Sequence, residues 1–372
     1  MGRNKIFRVG AICIGVVIVV VLVFFARIRE KEPIVIGAIL SISGPTGPTI
    51  EGEGVRDGML LAVEEINTFG GINGSKIELV IEDAKINAEI GKEIFQNMEA
   101  GRKPLLYVST HSSVSSALAP LVEENNVVLF VALATDPGVT KEKEWVFRYW
   151  PTAEVEMPAL MTLLKATGVR NLGVIYLDDE FGRSISSGLA REVGKIGGTV
   201  RGEPFSIRET DFKDEIAELS SYEGILGVGF PQHVKAIFKQ LRDEDYKGNV
   251  FSTIAAADVS FHTLPEANGV YITAPIIYNP TFLFAQGLKE KYEARFDKPL
   301  TYFAANGYDL IKMLAALLED EEFSRENVKK LLEAGFTHPG VLGTVDVGEG
   351  EHDMAFPIHP AQIIDGTVRY QY

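Results

Sequence analysis

The stretch "IVIGAILSISGPTGPTIEGEGVRDGMLLAVEEINTFGGINGSKIELVIED" (residues 34–83) indicates the fold class of this 372-residue chain. Its two ends, "IVIGAIL" (34–40) and "KIELVIED" (76–83), are short runs rich in β-branched residues, which is typical of strands. The segment between them, "GVRDGMLLAVEEINTFG" (54–70), is amphipathic and is closed by Gly70, as in a helix. Strand, helix and strand in this order predict a βαβ unit and a parallel sheet.

The same alternation continues in two series. In the first, helices and strands alternate after the opening unit, at residues 88–100, 105–108, 118–124 and 127–131. The second series begins after "FRYWPTAEVEM" (147–157) and alternates helices with the strands "LGVIYL", "GTVRGEPF", "GILGVGF" and "GNVFST". Two long helices (282–296 and 302–318), a short helix capped by Ser324 and a β-rich tail complete the chain. The length and the two series predict an α/β protein with two doubly wound lobes.

The start of the chain has a different character. "VGAICIGVVIVVVLVFFARI" (residues 9–28) has one charged residue, near its end, and as a helix could cross about 30 Å of hydrocarbon. Basic residues precede it, which favours a cytoplasmic N-terminus and a globular part on the outer face of the cell membrane: Arg3, Lys5 and Arg8. We therefore expect one uncleaved transmembrane helix as an anchor. A cleaved signal peptide is the alternative, but bulky Phe24 lies two positions before the best cleavage residue, Ala26.

Composition excludes several classes of function. Without residues 1–32, which carry six Lys or Arg and two Asp or Glu, the net charge falls from −15 to −19, so nucleic acid is not an expected partner. Cys13 is the only cysteine, so the exported part can form no internal disulfide. The glycine-rich loop at 43–54 has neither a G-x-G-x-x-G nor a P-loop motif, and the six histidines form no H-E-x-x-H motif. We expect no nucleotide, no other cofactor and no metal.

A cluster of hydroxyl groups marks a strand-to-helix junction in "VSTHSSVSSALAP" (residues 108–120). A nucleophilic serine, a helix cap and an anion-binding loop are all compatible with such a cluster. No G-x-S-x-G motif surrounds it, so a serine hydrolase that uses Ser112 is a distant alternative. One hydroxyl group suffices for a helix cap, so the additional hydroxyl groups indicate a bound ligand.

Several short motifs follow one another in a characteristic order: "SGP" (43–45), "EINTFGGING" (65–74), "SSVSSALAP" (112–120), "ATDP" (134–137), "FRYWP" (147–151), "DDEFG" (178–182), "YDLIKMLAALL" (308–318) and "GVLGTVDVGEGEHD" (340–353). Their order and spacing resemble the type I periplasmic solute-binding proteins, specifically the branched-chain amino-acid (leucine/isoleucine/valine-binding) group of ABC importers. The resemblance covers residues 34–370.

This resemblance implies two Rossmann-like lobes joined by three hinge crossings, with a ligand in the cleft between them. The crossings match positions near Trp150, Ala274 and Val341. They divide the chain into an anchor and tether (1–32), a first lobe (33–149 plus 274–340) and a second lobe (150–273 plus 341–372).

The resemblance also implies the residues of the binding site. Ser112 and Thr135 match the positions that hold the ligand carboxylate, with Ser113 and Ala134 beside them, and the carbonyl of Leu133 matches an acceptor for a ligand ammonium. The side-chain pocket matches three aromatic residues: Phe181, Phe230 and Phe303. Because these rings offer faces and no hydroxyl group, we expect an apolar or aromatic ligand body.

One position departs from the pattern of the group. The acidic residue that pairs with the ligand ammonium falls on Ile254. A buried ammonium without a counter-charge would cost several kcal/mol. Either Asp258 replaces that acid, or the ligand has no ammonium. The ligand is then a hydrophobic amino acid or an aromatic or aliphatic organic acid.

The expected function is that of an extracytoplasmic solute-binding protein. It would deliver a small carboxylate with an apolar body to the permease and ATPase subunits of an ABC importer. We expect a monomer that is not an enzyme. A ligand-sensing receptor that uses the same cleft to regulate a partner is the alternative, since the fold alone does not separate transport from sensing.

Overall fold

The computed structural model describes residues 31–44 and 47–371, and they form two lobes, each built on its own sheet. The predicted transmembrane helix at residues 9–28 lies outside the described residues. Within the described ranges, no helix is both long enough and apolar enough to cross a bilayer.

Six strands form the sheet of the first lobe: β1 (Ile34–Leu40), β4 (Ile77–Asp83), β5 (Leu106–Thr110), β6 (Leu129–Ala132), β7 (Val146–Tyr149) and β15 (Asp353–Met354). All neighbours are parallel, in the order β15-β7-β6-β5-β1-β4. The helices that connect the first strands are α1 (Ile50–Thr68), α2 (Ala88–Gly101) and α3 (Ser112–Asn125). Strands β5, β6 and β7 are buried along their whole length, as expected for a parallel sheet covered on both faces.

Seven strands form the sheet of the second lobe: β8 (Asn171–Leu177), β9 (Thr199–Phe205), β10 (Gly224–Val228), β11 (Asn249–Ser252), β12 (Tyr271–Ala274), β16 (His359–Ile364) and β17 (Thr367–Tyr370). Their order is β17-β16-β12-β11-β10-β8-β9, and only the pairs made by β16 are antiparallel. The helices of this part are α4 (Ala153–Thr167), α5 (Glu180–Lys195), α6 (Lys213–Leu219), α7 (Pro231–Asp243) and α8 (Val259–His262).

Short elements complete the loops. After β1 the chain forms two paired strands of two residues, β2 (Ser43–Gly44) and β3 (Gly47–Pro48). Single turns of 3₁₀-helix cover Pro137–Val139, Ile254–Ala257, Pro265–Ala267 and Ile276–Tyr278.

After β12 the chain returns to the first lobe. It adds three helices and a hairpin: α9 (Leu283–Phe296), α10 (Tyr302–Leu317), α11 (Arg325–Glu333), β13 (Phe336–Gly340) and β14 (Gly343–Val347). Helix α10 packs directly on the backbone of α1. A Cβ atom at Gly58 would lie 1.8 Å from the carbonyl oxygen of Ala304, and one at Gly307 would lie 2.2 Å from that of Val55. Only glycine permits this approach, because any other side chain would clash with the backbone of the neighbouring helix.

The chain passes between the lobes three times. The first passage follows β7, next to Trp150, and the second follows β12. The third follows β15 and therefore lies beyond residue 354, later in the chain than the expected crossing near Val341.

Two sets of contacts explain this later crossing. The buried carboxylate of Asp309 in α10 accepts hydrogen bonds from the amides of Val341 (2.8 Å) and Leu342 (3.0 Å). Strand β15 then pairs with β7. Residues 341–354 are therefore part of the first lobe, not of the second lobe to which the motif matching assigned them.

Candidate ligand-binding site

A cavity of about 520 Å³ lies between the two lobes, at the carboxyl ends of their parallel strands. The first lobe contributes residues that follow β1, β5 and β6, together with the start of α10. The second lobe contributes residues that follow β8, β10 and β11. A cavity of this size is typical of small-molecule sites.

Seven of the nine predicted site residues line the cavity: Ser112, Ser113, Leu133, Thr135, Phe181, Phe230 and Phe303. Ile254, which occupies the position of the expected acid, also lines it. Ala134 is instead fully buried in the core of the first lobe. Asp258 is buried outside the cavity, where it caps α8 by accepting a hydrogen bond from the Ser260 amide (2.9 Å). The carboxylate of Asp258 therefore does not replace the missing acid at the cavity wall.

Part of the serine-rich segment is structural. The hydroxyls of Ser109 and Ser115 form a buried hydrogen bond of 2.8 Å between β5 and α3. The hydroxyl of Thr110 accepts a hydrogen bond from the Ser41 amide (2.8 Å) at the end of β1. These three hydroxyls join core elements and do not face the cavity.

Ser112 and Ser113 face the cavity from the first turn of α3. The N-cap residue of this helix is His111, and its side chain makes no capping hydrogen bond. The first amides of an α-helix have no acceptor within the helix and carry the positive end of its dipole. The cavity end of α3 is therefore suited to bind an anion.

Two residues beside the cavity have left-handed backbone conformations, which non-glycine residues rarely adopt. His111 (φ 67°) directly follows β5, and Leu133 (φ 62°) directly follows β6. Each turns the chain at the end of its strand and leads into a cavity residue, Ser112 or Thr135. Strained positions of this kind concentrate at functional sites.

Arg148 in β7 supports the loop that carries Thr135. Its side chain is fully buried and donates hydrogen bonds to the carbonyl oxygens of Ala134 (3.3 Å) and Asp136 (2.8 Å), which flank Thr135. It also forms an ion pair with Asp353 (2.9 Å). No motif of the sequence marks this residue as part of a binding site. The available signal was a charged side chain within the otherwise apolar strand "VFRY".

The basic residues at the cavity do not provide a buried positive charge. Burial lowers the pKa of His111 to about 4, so its side chain is neutral at physiological pH. Arg183 lines the cavity but is exposed and pairs with Asp178 (2.7 Å) and Glu180 (3.6 Å). An anion at α3 would therefore be bound by hydroxyls and backbone amides. Over residues 31–44 and 47–371, no group of three potential metal ligands is placed to hold an ion.

Four acidic residues line the cavity: Glu51, Asp136, Asp179 and Glu180. Asp136 and Asp179 cap helical turns by accepting hydrogen bonds from the amides of Gly138 (2.7 Å) and Gly182 (2.8 Å). Burial raises the pKa of Glu51, which lies in the first turn of α1. Glu51 is not among the predicted site residues, because no motif distinguishes it within the glycine-rich loop.

The remaining wall of the cavity is aromatic. Phe181 and Phe230 come from the second lobe, and Phe303 comes from the first. The ring of Phe303 stacks on Trp150 at the first crossing, with centroids 6.1 Å apart and planes at 5°. Such ring faces favour an apolar ligand group.

A sequence-family model for periplasmic binding proteins matches residues 33–367. The chain belongs to the periplasmic binding protein family. Its relatives include the leucine-, isoleucine-, valine-, threonine- and alanine-binding protein of Pseudomonas aeruginosa, at 23% identity over 83% of this chain and 86% of that protein. Another is the chemotactic signal transduction system substrate-binding protein BasB of Halobacterium salinarum, at 24% identity over 77% of this chain and 70% of that protein.

Solved structures of substrate-binding and solute-binding proteins share the fold. The isoleucine complex of the substrate-binding protein LivJ from Streptococcus pneumoniae has a TM-score of 0.79 at 21% identity, covering 91% of this chain and 99% of that chain. The benzoate complex of a solute-binding protein from R. palustris has a TM-score of 0.78 at 17% identity, covering 91% and 95%. The predicted two-lobed α/β fold and the membership of the branched-chain amino-acid group are confirmed. This periplasmic binding protein is a substrate-binding protein rather than an enzyme.

Proposed function

We propose that this protein captures a small carboxylate with an apolar body in the cavity between its lobes. The observation that carries the proposal is the combination, in one cavity, of the open first turn of α3 with three phenylalanine rings. A carboxylate at that turn would accept hydrogen bonds from Ser112, Thr135 and the first amides of α3. An aliphatic or aromatic body would be buried against the rings. The isoleucine and benzoate complexes of similar structures support these two ligand classes.

The cellular setting of the proposal is the outer side of the cell membrane, where the protein would serve the permease and ATPase subunits of an ABC importer. Family membership supports the extracytoplasmic location. The apolar residues 9–28 support a membrane anchor. Lys31 donates a hydrogen bond to the carbonyl oxygen of Asn73 (2.6 Å), so such an anchor would hold the first lobe close to the membrane.

A second candidate function is ligand sensing. It is favoured by the similarity to BasB, whose name places that relative in a chemotactic signal transduction system. Both functions use the same cavity and differ in the partner that reads the bound state. A strain that lacks the protein should lose uptake of radiolabelled ligand if the protein serves an importer. It should keep uptake and lose chemotaxis toward the ligand if the protein is a sensor.

Calorimetric titration of the purified full chain tests the ligand class. We expect binding of L-leucine, L-phenylalanine or benzoate. The corresponding amides should bind at least about tenfold more weakly, because they lack the charge that the end of α3 stabilises. Equal affinity for acids and amides would contradict a carboxylate site at α3. Absence of binding by every acid would reject the proposal.

A further inference from the structure

We propose that Glu51 is the counter-charge for a cationic nitrogen of the ligand, so that the cavity selects a zwitterionic amino acid over a plain organic acid. The inference rests on the proposed binding of a carboxylate between the lobes. Glu51 lines the cavity from the first lobe. In the second lobe, the position expected to carry the acid is Ile254, and the nearby Asp258 does not line the cavity but caps α8. The acid that pairs with the ligand ammonium is then Glu51 of the first lobe, not a residue of the second lobe.

The position of Glu51 follows from the pairing of neighbouring strands. Strands β1 and β5 are adjacent, at the usual spacing of about 4.7–4.9 Å, and lead into α1 and α3. The Thr110 hydroxyl accepts a hydrogen bond from the Ser41 amide (2.8 Å), and the Ser41 carbonyl accepts one from the Thr49 hydroxyl (2.7 Å). Thr49 caps α1 two residues before Glu51, and Thr110 lies two residues before Ser112. The two first turns therefore open side by side on the cavity, as the two charges of one small ligand require.

The surroundings of Glu51 leave its carboxylate available to a ligand. Among the described contacts, the other three acids at the cavity are committed to capping bonds or to an ion pair, whereas Glu51 contacts its own amide. Lys235 is the nearby cation, but it donates to the Ser260 hydroxyl (2.6 Å) and lies over the ring of Phe261 (5.1 Å).

The electrostatics of Glu51 also favour a cationic ligand. Burial raises the pKa of Glu51, and the charge of Asp258 raises it further, whereas its own amide and Lys235 lower it. A ligand ammonium beside the carboxylate would offset the effect of burial and keep the carboxylate ionised. The ionised carboxylate would in turn remove the cost of burying an unpaired ammonium.

Matched ligand pairs test this role on the full chain. L-leucine differs from 4-methylpentanoate, and L-phenylalanine from 3-phenylpropanoate, in the ammonium group alone. The unsubstituted protein should bind the amino acids at least about tenfold more tightly than the deaminated acids. Glu51→Gln should weaken amino-acid binding by about 10- to 100-fold and leave the affinity for the deaminated acids nearly unchanged.

Two further variants serve as controls. Glu53→Gln removes the same charge from the first turn of α1, outside the cavity, where Glu53 pairs with Lys298 (3.3 Å). It should leave the affinity for both ligand classes unchanged. Glu51→Asp keeps the charge on a shorter side chain and should retain part of the preference for amino acids. Melting curves verify that each variant is folded.

The outcomes separate this inference from the proposed function. If the unsubstituted protein binds the deaminated acids as tightly as the amino acids, Glu51 has no such role and the carboxylate site stands. An equal loss of both ligand classes in Glu51→Gln, or equal effects of the Asp and Gln variants, would also overturn the role. If neither ligand class binds, the carboxylate site itself is rejected, and this inference with it.

Discussion

Arg148 and Asp353 form an ion pair of 2.9 Å between adjacent strands of the first lobe, although they lie 205 residues apart in the sequence. Arg148 is fully buried, whereas the Asp353 side chain is 47% exposed. Each strand lies next to a passage of the chain between the lobes. Because Arg148 also binds the carbonyls on both sides of Thr135, the pair connects the hinge region to a loop of the cavity.

Asp353→Asn should lower both the stability of the protein and its affinity for ligand. The substitution leaves the buried guanidinium without its counter-charge. We expect a loss of about 1–3 kcal/mol in the free energy of unfolding, less than for a fully buried pair because Asp353 is half exposed. Affinity should fall because the loop around Thr135 loses rigidity. Urea denaturation measures the first effect, and calorimetric titration measures the second.

A matched control for this variant is Asp346→Asn on β14. Asp346 is an exposed acid of the same C-terminal segment and accepts a hydrogen bond from the Thr337 hydroxyl (2.7 Å). Its substitution should change the free energy of unfolding by less than about 0.5 kcal/mol. If both variants gave the same stability and affinity, the Arg148–Asp353 pair would have no role in holding the loop.

Ser112 and Ser115 should respond differently to alanine. Ser112 faces the cavity, so Ser112→Ala should weaken acid binding by about 10- to 100-fold, with little change in melting temperature. Ser115 pairs with Ser109 in the core, so Ser115→Ala should lower the free energy of unfolding by about 1–3 kcal/mol and leave affinity nearly unchanged. Calorimetric titration and melting curves on both variants distinguish a residue that binds ligand from one that stabilises the core. Unchanged acid affinity in Ser112→Ala would refute the carboxylate site.

Ligand binding should draw the lobes together about the three crossings. Phe230 is 36% exposed, and closure would bury it with the apolar body of the ligand. Small-angle scattering with and without saturating L-leucine should show a smaller radius of gyration in the bound state. An unchanged radius at saturation, with binding verified by titration, would argue against a closing cleft.

Local sequence patterns were enough to predict two α/β lobes, because strands and helices differ in the period at which apolar residues recur. They did not reveal the position of the third crossing. Strand β15 has two residues and is defined by its pairing with β7, which no local pattern marks. The bond between Asp309 and the Val341 amide is likewise a tertiary contact.

Ser112, Thr135 and the three phenylalanines were predicted from motifs, and all of them line one cavity. They lie in segments that meet at the carboxyl ends of strands or at the start of α10. The positions of charged side chains relative to the cavity were harder to predict from the sequence. A short 3₁₀ turn at Ile254–Ala257 directs the chain so that the carboxylate of Asp258 caps α8. The direction of a single turn decides whether a carboxylate faces the ligand, the core or solvent. The spacing of residues in the sequence does not predict that direction.

Glu156 in α4 is a buried acid whose protonation should make stability depend on pH. Its carboxylate accepts hydrogen bonds from the Ile254 amide (3.1 Å) and from the Thr273 hydroxyl. Burial raises the pKa of Glu156 from 4.5 to about 7. The folded protein therefore holds this proton more tightly than the unfolded chain does. The resulting stability is fully present below about pH 4.5 and is lost as the pH rises to about 7, a change of about 3 kcal/mol.

Glu156→Gln should remove this dependence, because glutamine is neutral at every pH and its oxygen can still accept both hydrogen bonds. From about pH 5 to about pH 8, the stability of the unsubstituted protein should fall relative to the variant by up to about 3 kcal/mol, as measured by urea denaturation. Burial also raises the pKa of Asp309 to about 7, but that group is present in both proteins, so its contribution cancels in the difference. A stability difference that stays constant over this range would show that Glu156 titrates like an ordinary glutamate.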